Sequence, residues 1–338
     1  MKPTSDARDP TGTSMSREAV DPGLPIVDSH HHLWHPHANR YLVDAFQADI
    51  DKSGHRVVAS VYVEAAAMHR QHGPEAMRPV GEAEFVAGMA AMSASGAFGP
   101  TRCCEAFVGA ADLRLGDGVD EVLDALDTAS GGRLRGIRGT AIWDADVSVN
   151  SGTRPFAPRG LLLDPRFRAG VARLAERKLV YDAWQYYPQL PELCALADAL
   201  PTATLVVNHC GGLLGVGPYA NPENYANWKR MVAAAARRPN VLMKLGGLAG
   251  RRTGFGYEGR LTPPTLGELV ADWRPYIETC IELFGAHRCM FESNFPVDQI
   301  AGDYQMIWNV FKMITANCSP EEKARLFSET ARNTYRMS

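Results

Sequence analysis

The chain has 338 residues, of which 46% are hydrophobic, so it can bury a large core as one or two domains. The formal net charge of -3 and the dispersed Lys and Arg residues give no basic surface of the kind that binds nucleic acid. No apolar run is long enough to span a membrane, and residues 1–25 lack the apolar segment of a secretion signal. We therefore expect a cytoplasmic protein without nucleic-acid or membrane partners.

Residues 1–23 are rich in Ser, Thr, Pro and charged side chains and contain little to bury, so we predict a disordered tail there. The rest of the chain, 24–338, alternates between strand and helix patterns. The strand-like segments are 24–30, 57–64, 105–112, 134–139, 178–183, 203–209, 240–246 and 288–293. The helix-like segments are 79–95, 117–129, 165–177, 190–200, 222–238 and 264–285.

Eight apolar strands that alternate with helices favour an α/β fold of one domain, the TIM (β/α)8 barrel, over an open sheet. No glycine-rich nucleotide-binding pattern follows any of these strands, which argues against a nucleotide fold. The seven cysteines include no Cys-x-x-Cys pair, so neither a disulfide framework nor a thiolate zinc cage is expected. In a TIM barrel the carboxyl ends of the strands form the catalytic rim, and polar residues at those ends are the candidates for a site.

The first strand ends in a cluster of three histidines, residues 30–32. Alternation along a regular strand places Asp28, His30 and His32 on one face and His31 on the other. Neutral imidazole binds divalent metals and transfers protons near neutral pH. The pair His30 and His32 therefore indicates a metal site or an acid–base site.

The other predicted strands also end in polar side chains: Glu64, Asp112, Arg138, Asp182, His209, Lys244, Glu292 and Asn294. His209 precedes two glycines, which would allow a ligand to approach the backbone. Arg138 has the planar fork that suits a carboxylate or a polarised carbonyl. Lys244 follows a buried apolar run, so its ammonium either faces substrate or forms an ion pair inside the barrel. Arg251 and Arg252 lie on a Gly-rich loop and could form a second anion contact.

These residues lie in motifs that together resemble the amidohydrolase-2 family. The motifs are Asp28-x-His30-x-His32, Gly136-Ile-Arg138-Gly, Asn208-His209-x-Gly-Gly, Val241-Leu-Met-Lys244-Leu-Gly-Gly and Met290-Phe-Glu-Ser-Asn294-Phe-Pro-Val. Within that branch of the amidohydrolase superfamily, the chain is most similar to the sugar-acid and pyrone lactonases, such as fuconolactonase and 2-pyrone-4,6-dicarboxylate lactonase. The resemblance implies a TIM barrel that uses water to hydrolyse a cyclic ester.

The resemblance also implies roles for individual residues. His30, His32 and His209 match the family's histidines and would hold one divalent metal ion, with zinc as the first choice, while His32 and His209 are also catalytic candidates. Members of the subgroup that work without bound metal make metal-independent catalysis the alternative. Arg138 matches a substrate-binding position, and the further substrate-binding candidates are Glu64, Tyr186, Lys244 and Arg251.

The eighth strand departs from the family pattern. The usual Gly-Ser-Asp-Trp-Pro is replaced here by Glu292-Ser293-Asn294-Phe295-Pro296. The amide of Asn294 is not a usable base, although the residue stays among the catalytic candidates by position. Strand alternation places Glu292 on the same side as Asn294 and one layer deeper, so we hypothesise that Glu292 is the general base. Asp298 and one of the histidines are the alternatives.

These features predict a hydrolase that opens a lactone of a sugar acid or related carboxylic acid with activated water. Its small-molecule partner would be a carboxylated or hydroxylated lactone, and a homo-oligomer is compatible with the sequence. Two alternatives stay open. One is a metal-dependent, non-oxidative decarboxylase of the same superfamily, and the other is a binding homologue impaired by the loss of the strand-eight Asp.

Overall fold

The fold is a parallel eight-stranded barrel surrounded by helices. The computed structural model describes residues 18–34, 40–150 and 156–338. The strands are β1 (Ile26–His31), β2 (Val57–Val63), β3 (Arg102–Gly109), β4 (Leu134–Thr140), β5 (Val180–Trp184), β6 (Leu205–Val207), β7 (Val241–Leu245) and β8 (Cys289–Phe291). The helices are α1 (Val43–Ser53), α2 (Val80–Ala94), α3 (Asp120–Ala129), α4 (Pro165–Glu176), α5 (Leu190–Ala199), α6 (His209–Gly212), α7 (Asn224–Ala236), α8 (Leu266–Phe284), α9 (Tyr304–Ile314), α10 (Pro320–Ala324) and α11 (Thr330–Tyr335).

The strands pair in sequence order from β1 to β8, and each is parallel to its neighbour. The barrel closes just beyond β8, where Asn294 N donates to His30 O at 2.9 Å and His32 N donates to Phe295 O at 2.8 Å. The predicted TIM barrel is therefore confirmed. Closure also brings the end of β8 directly beside the histidines of β1.

Two apolar layers stabilise the barrel. Small and β-branched side chains, among them Val61, Val108 and Val206, fill its interior, as the tapering space inside a closed sheet requires. The apolar faces of the helices cover its outside. Ala331 and Tyr335 of helix α11 pack against the side chains of the barrel interior, so the C-terminal helix is part of this layer.

The strand alternation predicted for β1 is wrong at Asp28. The pairing of β1 with β2 slips between Asp28 and His31, so that three steps on β1 match two steps on β2. This bulge sends Asp28 toward α9, where its carboxylate accepts from Tyr304 Oη at 3.0 Å and from Ser293 N at 2.9 Å. His30 and His32 still point together, but on the opposite face from Asp28.

Two helices of eleven residues each, α1 and α9, were not predicted, and neither were the short helices α6 and α10. Helix α1 begins after Leu42 without a side-chain cap, so the usual start signal is missing from the sequence. Helix α9 does carry one, because the Asp303 carboxylate accepts from Met306 N at 2.9 Å. The sequence therefore contained signals for α9, the cap and the amphipathic spacing after it, from which the helix could have been predicted.

The predicted N-terminal tail is only partly covered by the structure. Residues 1–17 of that tail lie outside the described residues. Residues 18–23, assigned to the same tail, instead lie against α9, where Val20 N donates to Asn309 Oδ1 at 2.8 Å and Asn309 Nδ2 donates to Glu18 O at 3.1 Å. All seven cysteines are free, and no helix in the described part of the chain could cross a bilayer.

We expect buried His55 to make stability depend on pH. Burial lowers its pKa from 6.5 to about 4, and the Lys312 ammonium, 3.0 Å from its Nδ1, acts in the same direction. The unfolded chain then binds a proton that the folded chain excludes, so this contribution is complete above pH 6.5 and is lost as the pH falls toward 4. Urea unfolding at pH 7 and pH 5 should show that His55→Gln reduces the pH-dependent loss of stability by about 1–2 kcal/mol.

The matched control for this prediction is His287→Gln, since His287 also lies just before a strand, β8, but is exposed. It should leave the difference between the two pH values unchanged. Equal pH dependence in wild type and His55→Gln would contradict the assignment of His55 as a neutral, buried imidazole.

Candidate active site

A cavity of about 340 Å³ opens at the carboxyl ends of the barrel strands. Its wall includes six of the residues predicted from the sequence: His32, Arg138, Tyr186, His209, Arg251 and Asn294. It also includes Trp184 and Arg252, the latter named with Arg251 as a possible anion contact, and two residues that the sequence did not suggest, Thr140 and Ile142. Thr140 is the last residue of β4 and Ile142 lies two residues beyond it, so their place at a strand end is the signal that could have identified them.

His30, in β1, and His32, directly after it, converge as predicted. Their Nε2 atoms are 3.2 Å apart, and both residues are buried. His32 Nδ1 lies 2.8 Å from Val63 O, and because a carbonyl only accepts, that nitrogen carries the proton. Arg138 Nη1 donates to His30 Nε2 at 3.2 Å. Both Nε2 atoms are therefore unprotonated, and the lone pair of His30 Nε2 already accepts from Arg138.

His209 follows β6 and begins α6, a four-residue segment that is a left-handed turn because all four of its φ values are positive. His209 and Cys210 have φ values of 54° and 50°, a conformation that non-glycine residues rarely adopt and that concentrates at functional sites. The indole Nε1 of Trp228 donates to Cys210 O at 2.9 Å and holds the turn in place. This turn directs the imidazole back over the barrel mouth, where its ring centroid lies 4.9 Å from that of His30.

Glu292 joins His30 and His209. Its Oε1 accepts from His209 Nδ1 at 2.7 Å and from His209 N at 3.1 Å, and its Oε2 lies 2.9 Å from His30 Nδ1. Burial raises the pKa of Glu292 to about 7, against the opposing effect of the Lys244 ammonium. Burial also lowers the pKa values of both histidines, so the imidazoles are neutral at pH 7.

Two glycines after β7 make room for this pair. A Cβ on Gly247, whose φ is 62°, would lie 2.0 Å from His209 Nδ1, and a Cβ on Gly246 would lie 2.6 Å from Glu292 Cγ. Both distances are far below contact, so only glycine permits the imidazole and the carboxylate to meet here. The Leu-Gly-Gly motif of the sequence thus has a steric role in the site.

The structure does not bring Glu292 to the cavity wall. It is fully buried, and both carboxylate oxygens face histidine nitrogens. Water in the cavity would reach His209 first, because His209 lines the cavity and its Nε2 makes no hydrogen bond to any described residue. Direct proton abstraction by Glu292, as hypothesised from the sequence, therefore does not match this geometry.

Arg138 crosses the cavity floor with its guanidinium held on two sides. Its Nε donates to Glu64 Oε1 at 2.7 Å, its Nη2 donates to Glu64 O, and its Nη1 contacts His30. Glu64, predicted to bind substrate, is thus a partner of Arg138 and does not line the main cavity. Arg138 itself does line it, so its orientation is fixed before any ligand arrives.

Lys244, predicted to bind substrate, lies beneath the cavity and does not line it. Its Nζ is 2.8 Å from Asp182 Oδ2, and the other Asp182 oxygen accepts from Tyr335 Oη at 2.8 Å. Both members of the ion pair are inaccessible to solvent. The structure thus corresponds to the alternative considered for Lys244, an ion pair inside the barrel.

The loop after β7 carries two arginines that line the cavity, Arg251 and Arg252. Arg252 is buried, its guanidinium carbon is 4.6 Å from the ring centroid of Trp184, and its Nη2 donates to Gly247 O at 2.9 Å. Its Nε is buried without a hydrogen-bond partner among the described residues. Arg251, the arginine in the predicted set, is exposed at the rim.

Asn294 and Asp298 form a separate pair at the edge of the cavity. Asn294 Nδ2 donates to Asp298 Oδ1 at 2.8 Å, so the amide is occupied by this carboxylate. Burial raises the pKa of Asp298 to about 7. Asp298 does not line the cavity, although Asn294 does.

The donor set fits one divalent cation. His30, His209 and Glu292 offer three ligand atoms that lie within 4.8 Å of one another, and imidazole nitrogen and carboxylate oxygen are the usual zinc ligands. His30 Nδ1 and Glu292 Oε2 are buried and lack a hydrogen bond with proper geometry, although they are 2.9 Å apart. The predicted ligand set therefore gains Glu292, whereas His32 contributes only through its contact with His30.

Comparison with known proteins identifies the family. Residues 27–337 match the family model Amidohydro_2, described as amidohydrolase. The chain belongs to this amidohydrolase family. The superfamily predicted from the motifs is thus confirmed, and the protein is an enzyme of the amidohydrolase superfamily.

Relatives of this amidohydrolase include proteins with and without a named activity. It is 30% identical over 327 residues to protein y4mH of Sinorhizobium fredii, covering 93% of this chain and 99% of that protein. It is 26% identical over 332 residues to L-fucono-1,5-lactonase of Burkholderia multivorans, covering 91% of this chain and 95% of the relative. A crystal structure of a Burkholderia multivorans amidohydrolase with bound zinc matches 93% of this chain and 99% of its own, with a TM-score of 0.71 and 24% identity.

Proposed function

We propose that this amidohydrolase opens a lactone by water attack, with His209 as the general base and Glu292 as the residue that positions it. The observation that carries the proposal is the 2.7 Å contact between His209 Nδ1 and Glu292 Oε1 in a cavity that also contains Arg138. The resemblance to L-fucono-1,5-lactonase supports the choice of a lactone. Glu292 thus has a different role from the one hypothesised from the sequence, because its carboxylate is buried behind His209.

The pairing with Glu292 determines which nitrogen of His209 can accept a proton. Glu292 Oε1 also accepts from the His209 backbone N–H, an obligatory donor, so this oxygen acts as an acceptor toward Nδ1. The lone pair then lies on Nε2, on the opposite side of the ring. As Nε2 takes the proton from water, the carboxylate stabilises the imidazolium that forms.

The remaining groups stabilise the negative charge that develops on the carbonyl oxygen. The Arg138 guanidinium is held by Glu64 and lines the cavity, so it can donate to the oxyanion without reorganising. The protonated His209 then returns its proton to the ring oxygen of the lactone as the C–O bond breaks, and a hydroxy acid is released. A divalent cation bound by His30, His209 and Glu292 would polarise the carbonyl or lower the pKa of water.

The direct test is a panel of sugar-acid and pyrone lactones assayed for the hydroxy acid, with parallel detection of CO2. Assays with and without chelator, on protein of measured metal content, determine whether turnover follows metal occupancy. We expect hydroxy acid from at least one lactone and no CO2. Release of CO2 from carboxylated aromatic substrates, without lactone opening, would establish the decarboxylase alternative instead.

We predict that Arg252 selects for substrates that carry a carboxylate. Its buried guanidinium has an Nε with no partner among the described residues, and a carboxylate would satisfy it with a charge-assisted hydrogen bond. Arg252→Gln should raise KM for a carboxylated lactone about 10- to 100-fold, as expected for the loss of about 1.5–3 kcal/mol, with a smaller effect on an uncharged lactone. Arg251→Gln, on the same loop but exposed, is the matched control. Equal KM changes in the two variants would contradict this assignment.

A further inference from the structure

A second cavity of about 300 Å³ lies at the opposite end of the barrel from the active-site cavity. Its wall is formed where β3 and β4 begin and by the segment that follows α11. The active-site side chains, in contrast, follow the carboxyl ends of the strands. The two cavities are thus separated by the length of the barrel, and the second one does not depend on the proposed lactonase reaction.

The second cavity has an excess of positive charge. Four arginines line it: Arg102, Arg133, Arg135 and Arg336. Glu105 is the one acidic side chain among the described lining residues. It is already engaged, because its Oε1 accepts from Ser338 N at 3.1 Å and its Oε2 lies 3.7 Å from Arg102 Nε. The other three arginines have no ion pair within the part of the chain that the structure describes.

Two of these arginines have unused hydrogen-bonding capacity. Arg135 Nη1 donates to Gly132 O at 2.8 Å and to Leu134 O at 2.9 Å, but its Nε is buried and has no partner among the described residues. The Arg336 guanidinium makes no hydrogen bond or ion pair to any described residue. Burial and the neighbouring charge of Arg336 lower the pKa of Arg135. A buried N–H donor such as Arg135 Nε costs stability unless an acceptor satisfies it, whereas the exposed Arg336 guanidinium is solvated and free to bind an anion.

We propose that this arginine cluster is a binding site for a small phosphate-bearing molecule. Guanidinium groups bind phosphate oxygens through paired N–H donors, and several of them around one cavity match an anion with two or more charges. A cavity of about 300 Å³ is at the lower end of the range for small-molecule sites. Because the site joins β3 and β4 to the segment after α11, occupancy stabilises the folded chain by mass action.

The test is calorimetric titration of the full chain with inorganic diphosphate, with inorganic phosphate and citrate as separate arms. We expect saturable, one-to-one binding of diphosphate with a Kd of about 1 mM or tighter and a matching rise in Tm. Inorganic phosphate should bind more weakly, since it offers fewer charges. Citrate should bind at least about tenfold more weakly than diphosphate, a difference of about 1.4 kcal/mol.

The variant Arg135→Gln/Arg336→Gln should weaken diphosphate binding at least about tenfold without changing turnover. Arg230→Gln, an exposed arginine on α7 outside the cavity, should bind as wild type does. If the double variant does not fold, the exposed single variant Arg336→Gln gives the same comparison with a smaller loss. Three results would overturn the proposal: no saturable binding, equal affinity of the variants and wild type, or binding that Arg252→Gln abolishes, which would place the anion in the active-site cavity.

Discussion

Replacing Glu292 with Gln should lower kcat about a thousandfold and change KM little. The amide keeps the size of the side chain but removes the charge that stabilises the His209 imidazolium in the transition state. It also presents an N–H donor to His30 Nδ1, which is 2.9 Å from Glu292 Oε2 in the structure. Steady-state kinetics on the best lactone of the panel measures the effect, which should appear in kcat because Glu292 does not line the cavity.

Two further variants test whether the effect comes from the carboxylate of Glu292 as the group that positions His209. Glu292→Asp retains the charge and should recover part of the lost turnover. Asp298→Asn is the matched control, since Asp298 is also a buried carboxylate with a raised pKa of about 7 but contacts Asn294 and no histidine. A larger loss in Asp298→Asn than in Glu292→Gln would assign the base to Asp298 and contradict the role of the pair His209 and Glu292.

Replacing Lys244 with Met should destabilise the protein by about 3–5 kcal/mol, because it leaves the Asp182 carboxylate buried without a counter-ion. Both side chains are inaccessible to solvent, and their atoms are 2.8 Å apart. Denaturant unfolding at pH 7 measures the loss. A loss of this size is a large fraction of the stability of a typical domain, so the variant should also show a clearly lower Tm.

The double variant Lys244→Met/Asp182→Asn should recover about half of this loss, since the neutral amide no longer needs a cation and its oxygen can still accept from Tyr335 Oη. An unfolding free energy of Lys244→Met equal to that of wild type would show that the ion pair contributes nothing. In that case Lys244 would again be a candidate for substrate binding.

The fold could be predicted from the sequence because its determinants are local and repeated. Eight apolar strands in alternation with helices define a parallel barrel, and the order of the strands follows from the connections between them. The bulge in β1 could not be predicted, because an extra residue in one strand depends on its pairing with β2. That bulge is the reason why Asp28 faces α9 while His30 and His32 face the barrel mouth.

The composition of the site was predictable, but its internal contacts were not. Strand ends and the departure from the family pattern pointed to His209 and Glu292. The left-handed turn at His209 and the close approach of Gly247 decide that the carboxylate lies behind the imidazole and away from the cavity. Likewise, the sequence offered Arg251 and Arg252 as neighbours on one loop, and only the packing of Arg252 on Trp184 distinguishes them.

The most direct test of the account is turnover of a lactone substrate in water enriched in oxygen-18. Attack of water activated by His209 on the lactone carbonyl places one labelled oxygen in the carboxylate of the product hydroxy acid and leaves the new hydroxyl unlabelled. We expect this pattern from wild type, and a rate about a thousandfold lower from Glu292→Gln. Label in the hydroxyl, or no hydroxy acid from any lactone of the panel, would contradict it.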